Sequence, residues 1–193
     1  MVSDNRGGAY EAVSYLIRHG HCHIGMVGGS PNAYPSLRQR REGYVQALQD
    51  SGLLEAHFAD CPFKQQAAFE ATTRLLNEHP HLTAVFGCND GVALGAMQAA
   101  QAVSRRVPEE FSVIGFDDID FARRVRPTLT TMRVDKAEMG RMAVQLLINR
   151  LEFPDTARTT LVIHPTLVER ESVARLSSAQ RKSLSSPGAQ ASD

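Results

Sequence analysis

The stretch SVIGFDDID, residues 112–120, opens as a run of apolar side chains and closes with three carboxylates, Asp117, Asp118 and Asp120. Near-continuous apolar character from Phe111 to Phe116 is what a parallel strand shows when helices cover both faces of its sheet. Carboxylates that follow such a strand stand at its carboxyl end, where open α/β sheets bind their ligands. Two similar runs precede it, HIGMVGG at 23–29 and LTAVFGC at 82–88, and the second is followed at once by Asn89 and Asp90. Two polar pairs therefore share one rim.

Between these runs the apolar residues change to helical spacing. AYEAVSYLIRH (9–19) places Ala9, Val13, Leu16 and Ile17 on one face, and Gly20 follows as a C-cap. PSLRQRREGYVQALQDSG (35–52) repeats the pattern with Leu37, Tyr44, Val45 and Leu48, and QQAAFEATTRLLNEH (65–79) with Ala68, Ala71, Leu75 and Leu76. NDGVALGAMQAAQAV (89–103) opens on an Asn or Asp cap. In KAEMGRMAVQLLINRL, Asp135 precedes as a cap with Glu138 three residues on, and Met139, Met142, Ala143, Leu146 and Leu147 form the inward face. AHFADC, TLTTMRVD and TLVIHPTLVERESV supply shorter strand candidates. The alternation defines the fold class as α/β, a doubly wound parallel sheet. The closing residues 176–193 hold too little apolar surface to offset chain entropy and are expected to be disordered.

Composition narrows the chemistry. The 193 residues carry 21 Lys plus Arg against 21 Asp plus Glu, so the basic footprint that phosphate-backbone binding requires is absent. Cys22, Cys61 and Cys88 are odd in number and widely spaced, which argues against a disulfide framework and reads as reduced thiols in a cytosolic protein. The opening MVSDNRGGAY has no apolar signal core, and no run is long enough to span a membrane. An enzyme needs a nucleophile, base or phosphate cradle, and neither G-x-S-x-G nor G-x-x-x-x-G-K-[ST] occurs. GMVGG lacks dinucleotide-binding spacing and reads as a tight turn. His19, His21 and His23 span a helix end and a loop and need not converge, while His79 and His81 read as solvated turn residues around Pro80. No metal or cofactor is called for. The adjacent Asp117 and Asp118 need not face one cation. A polyhydroxylated ligand fits better: a carboxylate accepts paired hydroxyls, and Arg and Asn satisfy the ligand's oxygens.

In order along the chain, SDNRGGAYEAVSYLIRHGHCHIGMVGG, RQRREGYVQAL, TAVFGCNDGVALGAM, RVPEEFSVIGFDDIDFA, RPTLTTMRVDKAEMG and HPTLVERESVA resemble the effector-binding core of the lactose/galactose-repressor (LacI/GalR) family of bacterial transcriptional regulators. That core is periplasmic-binding-protein-like. The resemblance implies a non-enzymatic protein that senses a sugar or nucleoside-like metabolite. Asp4, Arg40, Asn89 and Asp117 match effector-contacting positions, and Tyr34 and Ser36 lie in a variable loop that adds contacts. Either Cys61 or Phe63 takes the place of an aromatic in the next crossover. Leu94 and Val125 fall at the family's dimer face, although the spacing of Leu94 with Ala93 and Met97 equally suits core packing.

Family members carry a helix-turn-helix, a hinge helix and several βα units ahead of the matched region. The expectation is an N-terminally truncated chain. Residues 1–22 and 132–153 would be remnants of the first subdomain, with exposed apolar helix faces, and 23–131 with 154–175 the second subdomain. Operator DNA would be read only through the absent helix-turn-helix, by a homodimer without membrane contact. A periplasmic-type sugar-binding protein of the same fold is the alternative, disfavoured by the unpaired cysteines and the lack of a signal core.

Overall fold

The computed structural model describes residues 1–30 and 34–177. In chain order the elements are β1 (Val2–Ser3), α1 (Asn5–Arg18), β2 (Ile24–Val27), α2 (Pro35–Asp50), β3 (His57–Ala59), α3 (Gln65–Glu78), β4 (Ala84–Gly87), α4 (Asp90–Ala102) and β5 (Ser112–Asp117). A 3-10 turn (Asp120–Arg123), β6 (Thr130–Arg133), α5 (Lys136–Glu152), β7 (Val162–Ile163) and β8 (Thr166–Val168) follow. The main sheet has the order β3-β2-β4-β5-β6-β8, and β1 pairs with β7 in a separate two-stranded sheet. Five strands of the main sheet are parallel; β8 joins its edge antiparallel to β6. Strand order reverses between β2 and β4, which makes the loops after these strands the crevice for a ligand.

The apolar runs are buried as their continuity requires: β2 and β4 are buried at every residue, β5 at all but Asp117. Phe86, Phe111, Phe116, Ile114 and Met132 are among the largest fully buried side chains, each contributing about 1.5–3 kcal/mol of apolar transfer. The ends of α1 and α2 are set by Gly20 and Gly52, both at positive φ. After each glycine the chain turns back, with His21 N–H donating to Leu16 O and Leu53 N–H to Leu48 O, a left-handed C-terminal stop open to glycine at no steric cost.

Packing separates the two helices expected to share a missing subdomain. Ala9, Ala12, Val13 and Leu16 of α1 are fully buried, and α1 packs along α2 and over β4, β5 and β6. Its apolar face is therefore covered by the main sheet, which corrects the grouping of residues 9–19 with 135–151. Helix α5 is the opposite case. Asp135 caps it by accepting from Glu138 N–H as expected, but none of its residues is buried. Of the inward face expected for it, Met139, Met142 and Leu146 are only half-buried and Ala143 and Leu147 are exposed.

Two boundaries also move. Strand β6 belongs to the main sheet through Arg133, paired to Asp117, while Val162 and Ile163 pair with Val2 and Ser3 rather than with the main sheet. Backbone pairing thus places the crossovers near residues 4, 134 and 164 instead of 22, 132 and 153. At the C-terminus Leu176 is 5% exposed and its N–H donates to His19 O, so packing persists past residue 175. Residues 178–193 of the expected disordered tail lie outside the described residues. No described helix is long and apolar enough to cross a membrane.

Candidate ligand-binding site

At the end of β5 the backbone leaves ordinary geometry: Asp117 has φ +109° and Asp118 φ +48°. Non-glycine residues in such conformations are disfavoured and persist where surrounding contacts over-determine them, often at binding sites. Different contacts hold the two carboxylates.

Asp117 faces Arg40, which Gly43 and Tyr44 follow on the buried side of α2. Arg40 Nη2 donates to Asp117 Oδ1 at 3.0 Å, Nη1 to Cys88 O at 2.7 Å and Nε to Asn5 Oδ1 at 3.0 Å. Its guanidinium carbon also sits over Phe116, 3.7 Å from the ring centroid. Three of the five N–H donors of an arginine are thus aimed at three different elements. The Arg40 side chain is 9% exposed and that of Asp117 28%, so the pair is held from behind and open in front. Cys88, the acceptor beneath Arg40, is a buried thiol pushed up to about 12 by burial, so it stays protonated and contributes no negative charge to the rim.

Asn89 spends its side-chain oxygen on Val92 N–H as the N-cap of α4, which leaves its amide nitrogen as a donor. Asp4 caps α1 through Gly7 N–H at 2.8 Å and meets His164 Nδ1 at 3.0 Å. Ser36 stands one helical turn before Arg40 on α2, on the same face. Asp4, Asn5, Ser36 and Gln39 line a cleft of about 370 Å³ between the two-stranded sheet and α2. Asp4 and Ser36 thus share this cleft, Asn5 links it through one hydrogen bond to the Arg40–Asp117 pair, and Asn89 follows Cys88 in the chain. Asn5 was missed from the sequence, though it follows Asp4 directly; it is 7% exposed and bridges Arg40 to Ser3 O.

Asp118 does something else. Its side chain is 1% exposed and is gripped by Arg170 Nη2 at 2.5 Å, Arg133 Nε at 2.6 Å and Arg123 at 3.5 Å. Burial opposes its ionisation, but Arg170 and Arg133 outweigh that and hold the carboxyl below the usual range. It ties β5 to β6 and to the residues after β8. Asp90 is a third kind: fully buried, it accepts from Ile119 N–H and Thr131 Oγ1, and burial raises it to about 6. Asp120 is exposed at the start of the 3-10 turn. Of the four carboxylates at 90, 117, 118 and 120, only that of Asp117 is both positioned and open.

The remaining expected residues are more scattered. Tyr34 is 73% exposed just before α2, and Phe63 is 41% exposed after the edge strand β3, three strands from Asp117. The variable loop's residues 31–33 lie outside the described residues. Leu94 is 5% exposed and belongs to the core, the packing its spacing with Ala93 and Met97 allows, while Val125 is partly buried against that core. All three cysteines are free. His19, His21 and His23 do not converge: His21 is buried between Thr83 Oγ1 and Ala174 O, and His19 bonds Tyr15 O. His79 and His81 are partly buried against His57 rather than solvated as expected.

A parallel sheet with a polar, partly open rim at its strand ends defines a periplasmic-binding-protein-like domain, and the family model of that description matches residues 13–173. The chain belongs to this family, and the relatives it matches include transcriptional repressors. It is 38% identical over 176 residues to the ribose operon repressor of Haemophilus influenzae, covering 90% of this chain and 52% of that protein. It is 36% identical over 179 residues to the transcriptional repressor PurR of Mannheimia succiniciproducens, covering 91% and 53%. The chain spans about half the length of the curated relatives it matches. In structure it is similar to a LacI family regulator of Enterococcus faecium solved with bound ribose, at a TM-score of 0.83 and 28% identity over 91% of this chain and 66% of that one.

Proposed function

We propose that this chain is the effector-sensing part of a cytoplasmic, non-enzymatic transcriptional repressor, and that its effector is a ribose-like polyol. The observation that carries the reading is the Arg40–Asp117 pair, fixed from behind by Asn5, Cys88 and Phe116 and open at the rim. A carboxylate accepts two vicinal hydroxyls and a guanidinium returns paired donors to ring and hydroxyl oxygens. Asp4, Ser36 and Asn89 add groups of the same kind around them, and Tyr34 or Phe63 would cover an apolar sugar face. Residues preceding the matched region in the relatives would complete the pocket and read operator DNA. Effector binding would then bias an open–closed equilibrium in a homodimer, with Val125 on the subunit face and Leu94 supporting it from the core.

The test is amide chemical-shift mapping of this chain during titration with D-ribose and, separately, with guanine. Half a pocket binds weakly, so millimolar saturation is expected, with shifts concentrated at Arg40, Asn89 and Asp117. Shifts at these residues with guanine alone would replace the polyol by a nucleobase. Ribose shifts confined to other parts of the chain would overturn the site.

A further inference from the structure

At the opposite ends of the strands from the candidate ligand site, three histidines from separate segments meet. His57 begins β3, His79 caps the C-terminus of α3, and His81 follows in the connection to β4. One ligand atom from each lies within 4.8 Å of the other two. The rings pack on one another, with centroids 4.3 Å apart for His57 and His79 and 5.4 Å for His57 and His81; His23, just before β2, stands edge-on to His81 at 4.9 Å. His57 Nε2 is buried without a hydrogen-bond partner. The carboxylate of Glu55 is 3.5 Å from it but outside hydrogen-bond geometry. A buried polar atom left unsatisfied in a folded protein calls for a reason, and an absent ion is one of the few available.

We propose that His57, His79 and His81 form a binding site for one borderline divalent transition-metal ion of the zinc type. Neutral imidazole nitrogens suit zinc, cobalt, nickel and copper, whereas calcium and magnesium demand oxygen donors. A tetrahedral ion with nitrogens at 2.0–2.1 Å holds them about 3.3 Å apart, so the rings must close by up to about 1.5 Å, within reach of side-chain torsions on the turn that carries His79 and His81. Burial, then repulsion from neighbouring histidines, keeps His57 and His81 below the usual histidine range. His23, beside His81, and Glu55, beside His57, lie next to the cluster without belonging to it, and Arg105, the positive charge facing His81, is tied to the carbonyls of Pro80 and Leu82. The ion would pin the start of β3 to the α3–β4 connection. The site shares no residue with the rim and stands independently of the effector.

The test uses the untagged, metal-free chain. Cobalt(II) is titrated while visible absorption is recorded, zinc is used to displace it, and the histidine ring nitrogens are followed by NMR during zinc addition. One ion per chain with a tetrahedral spectrum is expected, with zinc shifting the ring nitrogens of His57, His79 and His81. Losing even an outer-shell partner costs about 10–100-fold in metal affinity, so His79→Gln and His81→Gln should each weaken binding at least that much, and His19→Gln should leave it unchanged. Far-UV circular dichroism of the variants separates lost ligation from lost folding, and the wild-type ring shifts identify the ligands with no variant at all. Cobalt affinity retained in both variants, a weak octahedral spectrum, or zinc shifts confined to histidines other than His23, His57, His79 and His81 would each overturn the proposal.

Discussion

Replacing Asp118 by Asn isolates what the clamp between β5, β6 and the residues after β8 contributes. The amide keeps the shape and one acceptor but removes the charge that faces three guanidiniums. Arg170, with its side chain 12% exposed, is the partner left stranded, while Arg133 and Arg123 are 46% and 56% exposed and can turn to water. Breaking a buried pair from one side costs about 3–5 kcal/mol, and each half-exposed arm adds at most about 1 kcal/mol. Arg170 also donates to Leu129 O, which puts the total at the low end, about 3 kcal/mol. At roughly 2–4 °C per kcal/mol for a chain of this size, the melting temperature should drop by about 6–12 °C. Because the folded carboxyl titrates below its unfolded value, the contribution is complete above the unfolded value of about 4 and fades as pH falls through the folded one. Urea and thermal melts of both proteins at neutral and acid pH measure it. A loss under about 1 kcal/mol at pH 7, or a gap that does not shrink in acid, would refute the reasoning.

Arg40→Lys should fail to restore ligand binding in the complete regulator, because a point ammonium cannot address Asn5, Cys88 O and Asp117 together; calorimetry giving wild-type affinity would sink its role. Asp117→Ala should weaken effector binding by about 2–5 kcal/mol, the usual effect of stranding a buried charged partner, and Asp120→Ala by far less, so equal losses in the same titrations would remove Asp117 from the pocket. His21, held neutral at about 4 by burial, disfavours protonation in the folded state. Stability should fall by roughly 3 kcal/mol as pH drops from about 6.5 to 4, and urea melts of His21→Asn should lose this slope.

Strand and helix positions were legible because burial on both faces demands continuous apolar runs, as in Ile24–Val27 and Ser112–Phe116, and because caps such as Asn89 and Asp135 are local. The partner of an apolar helix face is not local. The residues of α1 show that something must cover Ala9, Val13 and Leu16 but not which sheet does, so the helix was grouped with α5 through the family resemblance. The division of labour among Asp117, Asp118 and Asp120 was equally hidden, since it depends on Arg133 and Arg170, which arrive from β6 and the chain after β8. His57 and His79 stand 22 residues apart in sequence, and only the docking of α3 beside β3 makes them neighbours.

Helix α5 has 17 residues and no buried side chain, with Val144, Leu147, Ile148 and Leu151 between 43% and 74% exposed. A helix of that length without tertiary support is marginal in water, so its backbone amides should trade hydrogen for deuterium almost as freely as an unfolded peptide. Helix α4, with nine buried residues, should release its amides only on global opening, many orders of magnitude more slowly. One chain would then give two populations in a single mass spectrum, a slow body and a fast arm. Whatever surface comes to lie on the apolar face of α5 would announce itself by slowing that arm, before any ligand or DNA is added.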